Sequence, residues 1–460
     1  MRKEYYIGSD KIHYSMQQRF NHAYIIGISF ISALGGYLFG FDFAVISGAL
    51  PFLRTTFALN AWWEGFLTGS LALGCMVGCL AAGALADRYG RKPGLILAAF
   101  IFTLSSLGMA FSEGLTMFVT MRFAAGIGVG MASILSPLYI AEISPAHLRG
   151  RNVSINQLTI VIGILVTNLV NYTLASKGDE AWRWMFGLGA LPSLVFLFGV
   201  LLLPESPRWL MGKGKTEQAR KTLARIGDAA FVEETARDIR TSLQGHTRTS
   251  LKAVFEKAVR PAVVVGITLA VFQQLCGINI VFNYTSTIFA SVGADLDSQL
   301  FETISIGIVN LVFTLVAMWQ VDKLGRRPLM LIGSLGLSVV YIVLALLLRN
   351  QADVKFVSFF VLLAIAMYAT SLAPVTWVLI SEIFPNKIRG LASSIAIVSL
   401  WGAYFILVFT FPILAENLGT YGPFYLYAGI CFLGFLFIRA KVRETKGQTL
   451  EQLEQHLIRH

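Results

Sequence analysis

The sequence predicts an all-α membrane protein of twelve transmembrane helices, arranged as two six-helix bundles with short cytoplasmic helices. Three observations predict it: few charged residues, a series of long apolar stretches, and polar motifs that recur in both halves of the chain. Only 14% of the 460 residues are charged and 55% are hydrophobic, whereas average globular chains are about 25% charged. This composition excludes a soluble domain of this size. It also excludes a disordered chain, because disorder requires low hydrophobicity.

Twelve stretches are long enough to cross the apolar core of a bilayer, which takes about 20 residues in a helix. Each is rich in Leu, Ile, Val, Phe and Ala, and the chain has 42 glycines, which let membrane helices approach closely. The strands of a membrane barrel would instead alternate in polarity over about 10 residues. The predicted spans are residues 23–51, 62–86, 93–112, 115–141, 153–175, 182–203, 261–290, 300–321, 328–348, 355–381, 391–415 and 421–440.

The loops on the two sides of the membrane differ strongly in charge. Those on one side hold few of the 37 basic residues, namely Arg54, Lys177, Arg183, Arg349 and Lys355. Loops with an excess of Lys and Arg face the cytoplasm, so we expect both termini to be cytoplasmic, in a plasma (inner) membrane. The net charge of +11 is then a signature of topology and does not indicate nucleic-acid binding.

The longest polar segment lies between the sixth and seventh spans and divides the chain into two halves. Its composition predicts two surface helices, at about 216–227 and 232–243, and the tail from 448 to 460 has a similar composition. The alternative interpretation is a plain linker. The predicted domains are an N-terminal segment (1–22), a first bundle (23–203), a linker (204–260), a second bundle (261–440) and a tail (441–460).

Two polar motifs recur in corresponding loops of the two halves. Gly83–Lys92 follows the second span and Asp322–Arg327 the eighth, while Glu142–Gly150 follows the fourth and Glu382–Gly390 the tenth. Such duplication is typical of transporters whose halves move around a central site. Acidic and basic residues at helix ends can form ion pairs in one state that break in the other, although the positive-inside rule alone would also place basic residues there. The predicted gating residues are Asp87, Arg88, Arg91, Glu142, Arg149, Asp322, Arg326, Arg327, Glu382 and Arg389.

With two further motifs, the chain resembles the sugar porter branch of the major facilitator superfamily over nearly its whole length. These motifs are Pro-Glu-Ser-Pro-Arg-Trp-Leu at 204–210 and Gln-Gln-Leu-Cys-Gly-Ile-Asn at 273–279. In character it is similar to bacterial sugar–proton symporters and to facilitative glucose transporters. The resemblance implies the major facilitator fold and alternating access to a monosaccharide by a single chain, and it adds Glu205 and Arg208 to the gating residues.

Two charges fall deep within predicted spans, Asp42 in the first and Arg122 in the fourth. A lone charge at the centre of a membrane helix costs about 2.5–3.5 kcal/mol, and such residues usually face the interior and serve a transport pathway. A carboxylate that either pairs with Arg122 or takes up a proton would act as a switch; the alternative is a permanent structural ion pair. By resemblance, this pair is the protonation site of proton-coupled members, and facilitative members commonly have Asn at the first position.

Buried amides are the candidate sugar ligands, because neutral Asn and Gln both donate and accept hydrogen bonds, as sugar hydroxyls do. On an ideal helix Gln274 and Asn279 would point about 140° apart, so they would converge better if the helix unwound near Gly277. Amides can also simply link helices. By resemblance several of these positions contact sugar, and two aromatic residues are plausible walls of the site. The predicted substrate-binding residues are Gln157, Gln273, Gln274, Asn279, Asn283, Asn310, Trp377, Phe39 and Trp401.

Several positions near the predicted site depart from the family pattern. Asn283 stands where a Tyr is usual, Tyr404 where Asn is common, and Leu400 replaces a usual Asn or Gln. Ile164 is apolar where a relative has Gln, and Arg443 precedes Glu444 where Pro is usual. The class of substrate is therefore predicted, but not which sugar.

The resemblance, with Asp at position 42, favours symport of a monosaccharide with a proton, and three other functions are alternatives. The nearest alternative is a proton-independent sugar facilitator. A drug antiporter is less favoured because the seventh span is rich in amides, and a transporter-like nutrient sensor would need a longer tail. An enzyme is not expected, because no cluster of nucleophile and base stands out. No cofactor or metal is predicted either, since no His accompanies Cys75 and Cys79.

Overall fold

The computed structural model describes residues 19–244, 254, 256, 259–385, 388–442, 444 and 446. These residues are almost entirely helical, apart from loops and an isolated β-bridge between Phe20 and Gly227. Among the described residues, twelve helical segments are long and apolar enough to cross a membrane, which confirms the predicted number of spans. The tail at 448–460 lies outside the described residues, as does most of the N-terminal segment.

The helices that build the twelve spans follow the predicted ranges closely, and most extend a few residues beyond them. The first six spans are α1 (His22–Phe57), α2 (Ala61–Tyr89), α3 (Arg91–Ala110), α4 (Leu115–Ile143), α5 (Arg149–Leu174), and α6 (Ala181–Gly187) with α7 (Ala190–Leu202). The linker holds α8 (Pro207–Gly212), α9 (Thr216–Ile226) and α10 (Ala229–Gln244). The last six spans are α11 (Arg260–Leu275) with α12 (Ile278–Asn283) and α13 (Thr285–Ala290), α14 (Leu296–Leu324), α15 (Arg326–Arg349), α16 (Val354–Thr370) with α17 (Leu372–Ile383), α18 (Arg389–Leu418) and α19 (Gly422–Lys441).

Side-chain caps fix the starts of several helices. The side chain of Asn21 accepts a hydrogen bond from the backbone N–H of Tyr24 (3.1 Å), and that of Asn60 accepts one from Trp63 (2.8 Å). Asp295 caps α14 in the same way. Asn and Asp are favoured at this position because they satisfy N–H groups that have no partner within the helix.

In the part of the chain that the structure describes, the sixth, seventh and tenth spans are interrupted. Hydropathy alone did not predict the interruptions of the sixth and tenth. The sixth bends between Gly187 and Gly189, and the tenth breaks at Ser371, three residues before Pro374. Pro374 then lies in the first turn of α17, where its missing N–H has no helical partner to lose. The seventh span breaks at Gly277, as the geometry of its amides had suggested.

The linker helices pack against the first half of the chain. α9 and α10 confirm the two predicted surface helices, and α9 buries Ala219, Leu223 and Ile226. The backbone N–H of Asn21 donates to the carbonyl of Ile226 (2.9 Å), so the start of α1 is tied to the linker. We call the end of the molecule that carries these helices and the Asp87–Lys92 loop the linker end, and the opposite end, with the loop 58–60, the far end.

The two halves contact each other near the far end. There α2 packs against α18 so closely that Gly65 lies on the backbone carbonyl of Phe409. Helix α5 packs against α14, and the side chain of Asn168 donates to the carbonyl of Thr303 (2.6 Å). The described ion pairs at the linker end, in contrast, join residues of the same half.

Candidate functional site

A break in the seventh span brings its amides together. Gly277 has φ +89°, a left-handed conformation that favours glycine, and it separates α11 from α12. The side chain of Asn279 then reaches back to donate to Gln274 Oε1. Gln274 Nε2 donates to Gln273 Oε1 (2.8 Å), and Gln273 Nε2 donates to Tyr368 Oη of α16 (2.9 Å). These residues form a continuous buried amide row, defined as Gln273, Gln274 and Asn279.

Asn283 extends this row toward the eleventh span. Its Nδ2 donates to the backbone carbonyl of Asn279 (2.7 Å), and its Oδ1 accepts from Tyr404 Oη (3.1 Å). Both side chains are buried. Two of the departures from the family pattern noted in the sequence, Asn283 and Tyr404, are thus hydrogen-bonded to each other. Tyr368 and Tyr404 complete the row at its two ends, and the sequence had not singled out either as a partner of an amide.

Asp42 and Arg122 form a fully buried and poorly supported ion pair. Arg122 Nη1 lies 3.5 Å from Asp42 Oδ1, and both side chains are at most 1% exposed. Neither carboxylate oxygen and none of the guanidinium nitrogens has a hydrogen-bond partner among the described residues. The Arg122 guanidinium also lies over the ring of Phe186, 5.7 Å from its centroid. A buried pair is most favourable when hydrogen bonds satisfy its remaining polar atoms, and the described residues supply none here.

Aromatic rings connect the helix of Asp42 to the second half of the chain. Phe39 meets Trp401 (5.6 Å between ring centroids), and Phe43, next to Asp42, meets Phe282 (5.5 Å) and Tyr404 (5.9 Å). Both predicted aromatic walls are therefore in contact, while Phe43 and Phe282 were missed because an apolar ring in a span carries no signal of its own. These rings place the helix of Asp42 in direct contact with α12 and α18.

The other predicted sugar ligands are carried by other helices than the amide row. Gln157 on α5 and Trp377 on α17 have exposed side chains, with Trp377 43% accessible. Asn310 on α14 is buried. The structure therefore groups Gln273, Gln274, Asn279 and Asn283 and leaves the remaining residues on the surrounding helices.

At the linker end of the first half, several predicted gating residues form one network. Arg91 makes a bidentate contact with Glu142 (2.9 Å for both hydrogen bonds), and Ser206 Oγ donates to Glu142 (2.5 Å). Glu205 accepts hydrogen bonds from the backbone N–H groups at the start of α3, with Arg91 N at 2.9 Å. Burial raises the pKa of the Glu205 carboxyl, and these N–H donors oppose the rise. Asp87 is loosely placed, 3.9 Å from Arg91.

The second half repeats this arrangement with a residue that the sequence did not nominate. Glu444 accepts hydrogen bonds from Arg326 N (3.0 Å) and Arg327 N (3.1 Å), and so caps α15 as Glu205 caps α3. Glu444 lies 239 residues after Glu205, close to the offsets of 235 and 240 between the repeated loop motifs, so the repeat itself could have identified it.

The remaining predicted gating residues are held differently. Arg149 Nε and Arg389 Nε donate to backbone carbonyls near the end of the preceding helix, those of Ala141 (3.1 Å) and Phe384 (3.2 Å). Arg208 donates to Ser242 of α10 (3.1 Å), and Arg88 lies over Tyr89. Asp322 and Glu382 lie at the ends of α14 and α17, and their side chains are outside the described part of the structure.

Comparison with known proteins identifies the family. Residues 28–457 match the family model described as "Sugar (and other) transporter". The chain belongs to the sugar porter family of the major facilitator superfamily. It is 39% identical to the D-xylose-proton symporter of Escherichia coli, over 95% of this chain and 97% of that protein. It is 36% identical to the arabinose-proton symporter of Bacillus subtilis, over 94% of each chain. The predicted family is therefore confirmed.

Solved structures of this family share the fold. The inward open conformation of the xylose transporter of E. coli has a TM-score of 0.83 at 36% identity and covers 94% of this chain and 100% of that one. The proton:xylose symporter bound to 6-bromo-6-deoxy-D-glucose has a TM-score of 0.79 at 37% identity, with 95% and 100% covered. The predicted major facilitator fold is confirmed, and the protein is an integral membrane transporter rather than an enzyme.

Proposed function

We propose that this protein imports a monosaccharide, a pentose, hexose or related polyol, together with a proton by alternating access. The observation that carries the proposal is the buried Asp42–Arg122 pair, whose charged atoms have no hydrogen-bond partner among the described residues. Asp42 lies on α1, and the ring of the adjacent Phe43 contacts Tyr404, the hydrogen-bond partner of Asn283. Two relatives, the symporters for D-xylose and arabinose, are named for the same coupling. Neither name specifies the sugar carried here.

The proposed sugar ligands are the amide row with Asn283, supplemented by Gln157 and Asn310, with Phe39, Trp377 and Trp401 covering the apolar face of the ring. Amides suit this role because they contact hydroxyl groups without adding net charge within the membrane. The row is fixed by its own hydrogen bonds, so its free polar atoms are held in one geometry before sugar arrives. Preorganisation of this kind reduces the entropy lost on binding.

The proposed coupling depends on the charge of Asp42. When Asp42 carries a proton, its attraction to Arg122 disappears, and Arg122 and α1 are free to shift. When Asp42 is ionised, the pair holds the two helices together. One proton that moves down a potential of 100 mV supplies about 2.3 kcal/mol, which at about 1.36 kcal/mol per decade supports roughly 50-fold accumulation of sugar.

We further propose that the linker end faces the cytoplasm of a plasma (inner) membrane and that a single chain suffices for transport. The orientation follows from the excess of Lys and Arg in the loops at that end. The gating residues around Glu142 and Glu205 would then hold the first half together during the inward-facing state. Their counterparts in the second half, with Glu444, would do the same there.

The test is uptake into proteoliposomes with and without an imposed pH gradient. Labelled xylose, glucose, galactose and myo-inositol are supplied in parallel, and we expect one or more to accumulate until a protonophore is added. Uptake that ignores the protonophore would establish a facilitator instead, and no uptake of any sugar would refute the proposal.

The matched variants are Asp42→Asn and, as a control, Asp297→Asn on the exposed start of α14. Asp42→Asn should lose accumulation but retain exchange of internal for external sugar, because only the protonation step is removed. The control should behave as the parent does. If Asp42→Asn concentrated sugar as well as the parent, the role of Asp42 in coupling would be wrong.

A further inference from the structure

Two adjacent residues of α13 form hydrogen bonds to α1 across the boundary between the halves, at the far end. Ser286 Oγ donates to the backbone carbonyl of Ser47 (2.7 Å). Thr287 Oγ1 accepts from Arg54 Nη2 (2.7 Å). α13 belongs to the second half and α1 to the first, so both bonds can exist only while the halves are together at this end.

The first bond uses a carbonyl that a proline has set free. In a regular helix the carbonyl of Ser47 would accept the N–H of the residue four positions later. That residue is Pro51, which lies within α1 and has no N–H. The carbonyl therefore needs another donor, and Ser286 supplies one. Ser286 is itself buried, at 1% exposure, so water does not replace it while the halves are closed.

The second bond is aimed by an ion pair at the same end of α1. Arg54 donates through Nε to Glu64 Oε2 (2.6 Å) and through Nη2 to Glu64 Oε1 (2.5 Å). Glu64 lies in the first turn of α2 and is 6% exposed, whereas the Arg54 side chain is 31% exposed. Glu64 thus fixes the guanidinium in a direction that leaves one N–H for Thr287.

We propose that Ser286 and Thr287, with the Pro51-freed carbonyl and the Arg54–Glu64 pair, form a two-point latch that holds the transporter closed at its far end. The proposal rests on the proposed function in that this end is extracellular and opens during the transport cycle. Opening breaks both bonds at once, because the two donor–acceptor pairs are carried by adjacent residues of one short helix. The latch therefore shifts the ratio of inward-open to outward-open protein toward the inward-open state, together with the other far-end contacts such as that of Asn168 with Thr303.

Loss of either bond should shift this ratio by a predictable factor. A hydrogen bond to a charged group is stronger than one between neutral groups, but Arg54 is partly exposed, and water replaces part of what is lost. We expect about a tenfold shift toward the outward-open state for Thr287→Val, which is about 1.4 kcal/mol. Ser286→Ala should produce a similar shift, since it leaves the carbonyl of Ser47 without a partner.

The experiment measures distances between spin labels on introduced cysteines at Thr56 and Glu416, exposed residues at the far ends of α1 and α18. The native cysteines are buried, and labelling of the parent gives their background. Two matched controls remove neighbouring hydroxyls that bond only within their own segment: Thr285→Val, whose Oγ1 donates to Val281 O, and Ser291→Ala, whose Oγ donates to Ile288 O.

We expect a longer distance to gain population in Thr287→Val and Ser286→Ala but not in the two controls. Glu64→Gln, which keeps the shape of the side chain but removes its charge, should shift the distribution in the same direction. If the latch variants and the controls gave the same distribution, the latch would be refuted. This readout needs no sugar and no proton gradient, so it stands or falls independently of the uptake assay.

Discussion

The break at Gly277 allows the sharpest test of how the candidate site is built. Gly277→Ala adds a single methyl group at a residue with φ +89°. We expect this change to weaken sugar transport through geometry alone, because Gly277 donates no side-chain contact of its own.

Two costs can be estimated from the structure. An L residue in the left-handed region costs about 1–2 kcal/mol. A Cβ on Gly277 would also lie 2.5–2.8 Å from the Tyr427 side chain of α19, and such overpacking typically costs 1–3 kcal/mol. Relief of either strain moves α12 relative to α11 and pulls Asn279 away from Gln274. Loss of one sugar contact by this movement would raise KM about two- to thirteenfold, from a net hydrogen-bond contribution of about 0.5–1.5 kcal/mol.

The assay combines initial rates of uptake with thermal unfolding in detergent. Gly429→Ala is the matched control, because Gly429 lies on the same helix as Tyr427 and a Cβ there would meet no atom within 4 Å. We expect a higher KM and a lower Tm for Gly277→Ala and neither for the control. An unchanged KM together with an unchanged Tm in Gly277→Ala would refute the assignment of the break as the feature that aligns the amides.

Three further predictions concern single polar contacts. Burial raises the pKa of the Glu205 carboxyl from its ordinary value of 4.5. The stability that Glu205 contributes is therefore fully present below pH 4.5 and is lost as the pH rises through the raised pKa. Glu205→Gln should flatten the dependence of Tm on pH above 4.5, and a dependence equal to that of the parent would contradict this. Glu444→Ala removes the cap of α15 and should cost about 0.5–2 kcal/mol, seen as a lower Tm; a Tm equal to that of the parent would show that the cap is unimportant. Tyr404→Phe leaves Asn283 Oδ1 buried without its donor, at a cost of about 1–3 kcal/mol, and should lower Tm and alter KM, whereas an unaffected protein would exclude this bond as a structural element.

The spans and the repeat could be predicted from the sequence because each depends on local composition. Apolar length defines α1 to α5 whatever they pack against, and the recurring Asp and Glu positions reveal the duplication. The break at Gly277 could be anticipated as well, since Gln274 and Asn279 could not share a face on a regular helix.

The partners of the site residues could not be predicted in the same way. Tyr368 and Tyr404 lie 95 and 121 residues from the amides they bond, and a tyrosine in a span has no pattern that distinguishes a hydrogen-bonded hydroxyl from ordinary packing. The same holds for Ser286, whose importance depends on a carbonyl freed by Pro51 on another helix. Contacts of this kind arise only when helices distant in sequence pack together, within the second half for the two tyrosines and across the two halves for Ser286.

The mutual hydrogen bonds of the amide row favour release of a sugar bound at the proposed site. Gln274 and Asn279 already satisfy one another, so at the proposed site a sugar would bind only the polar atoms that these bonds leave free. The net binding free energy would be correspondingly small, and the amides would keep their mutual hydrogen bonds when the sugar dissociates. A transporter must release its substrate in every cycle, and a binding site whose polar groups are already paired with one another favours rapid turnover over high affinity.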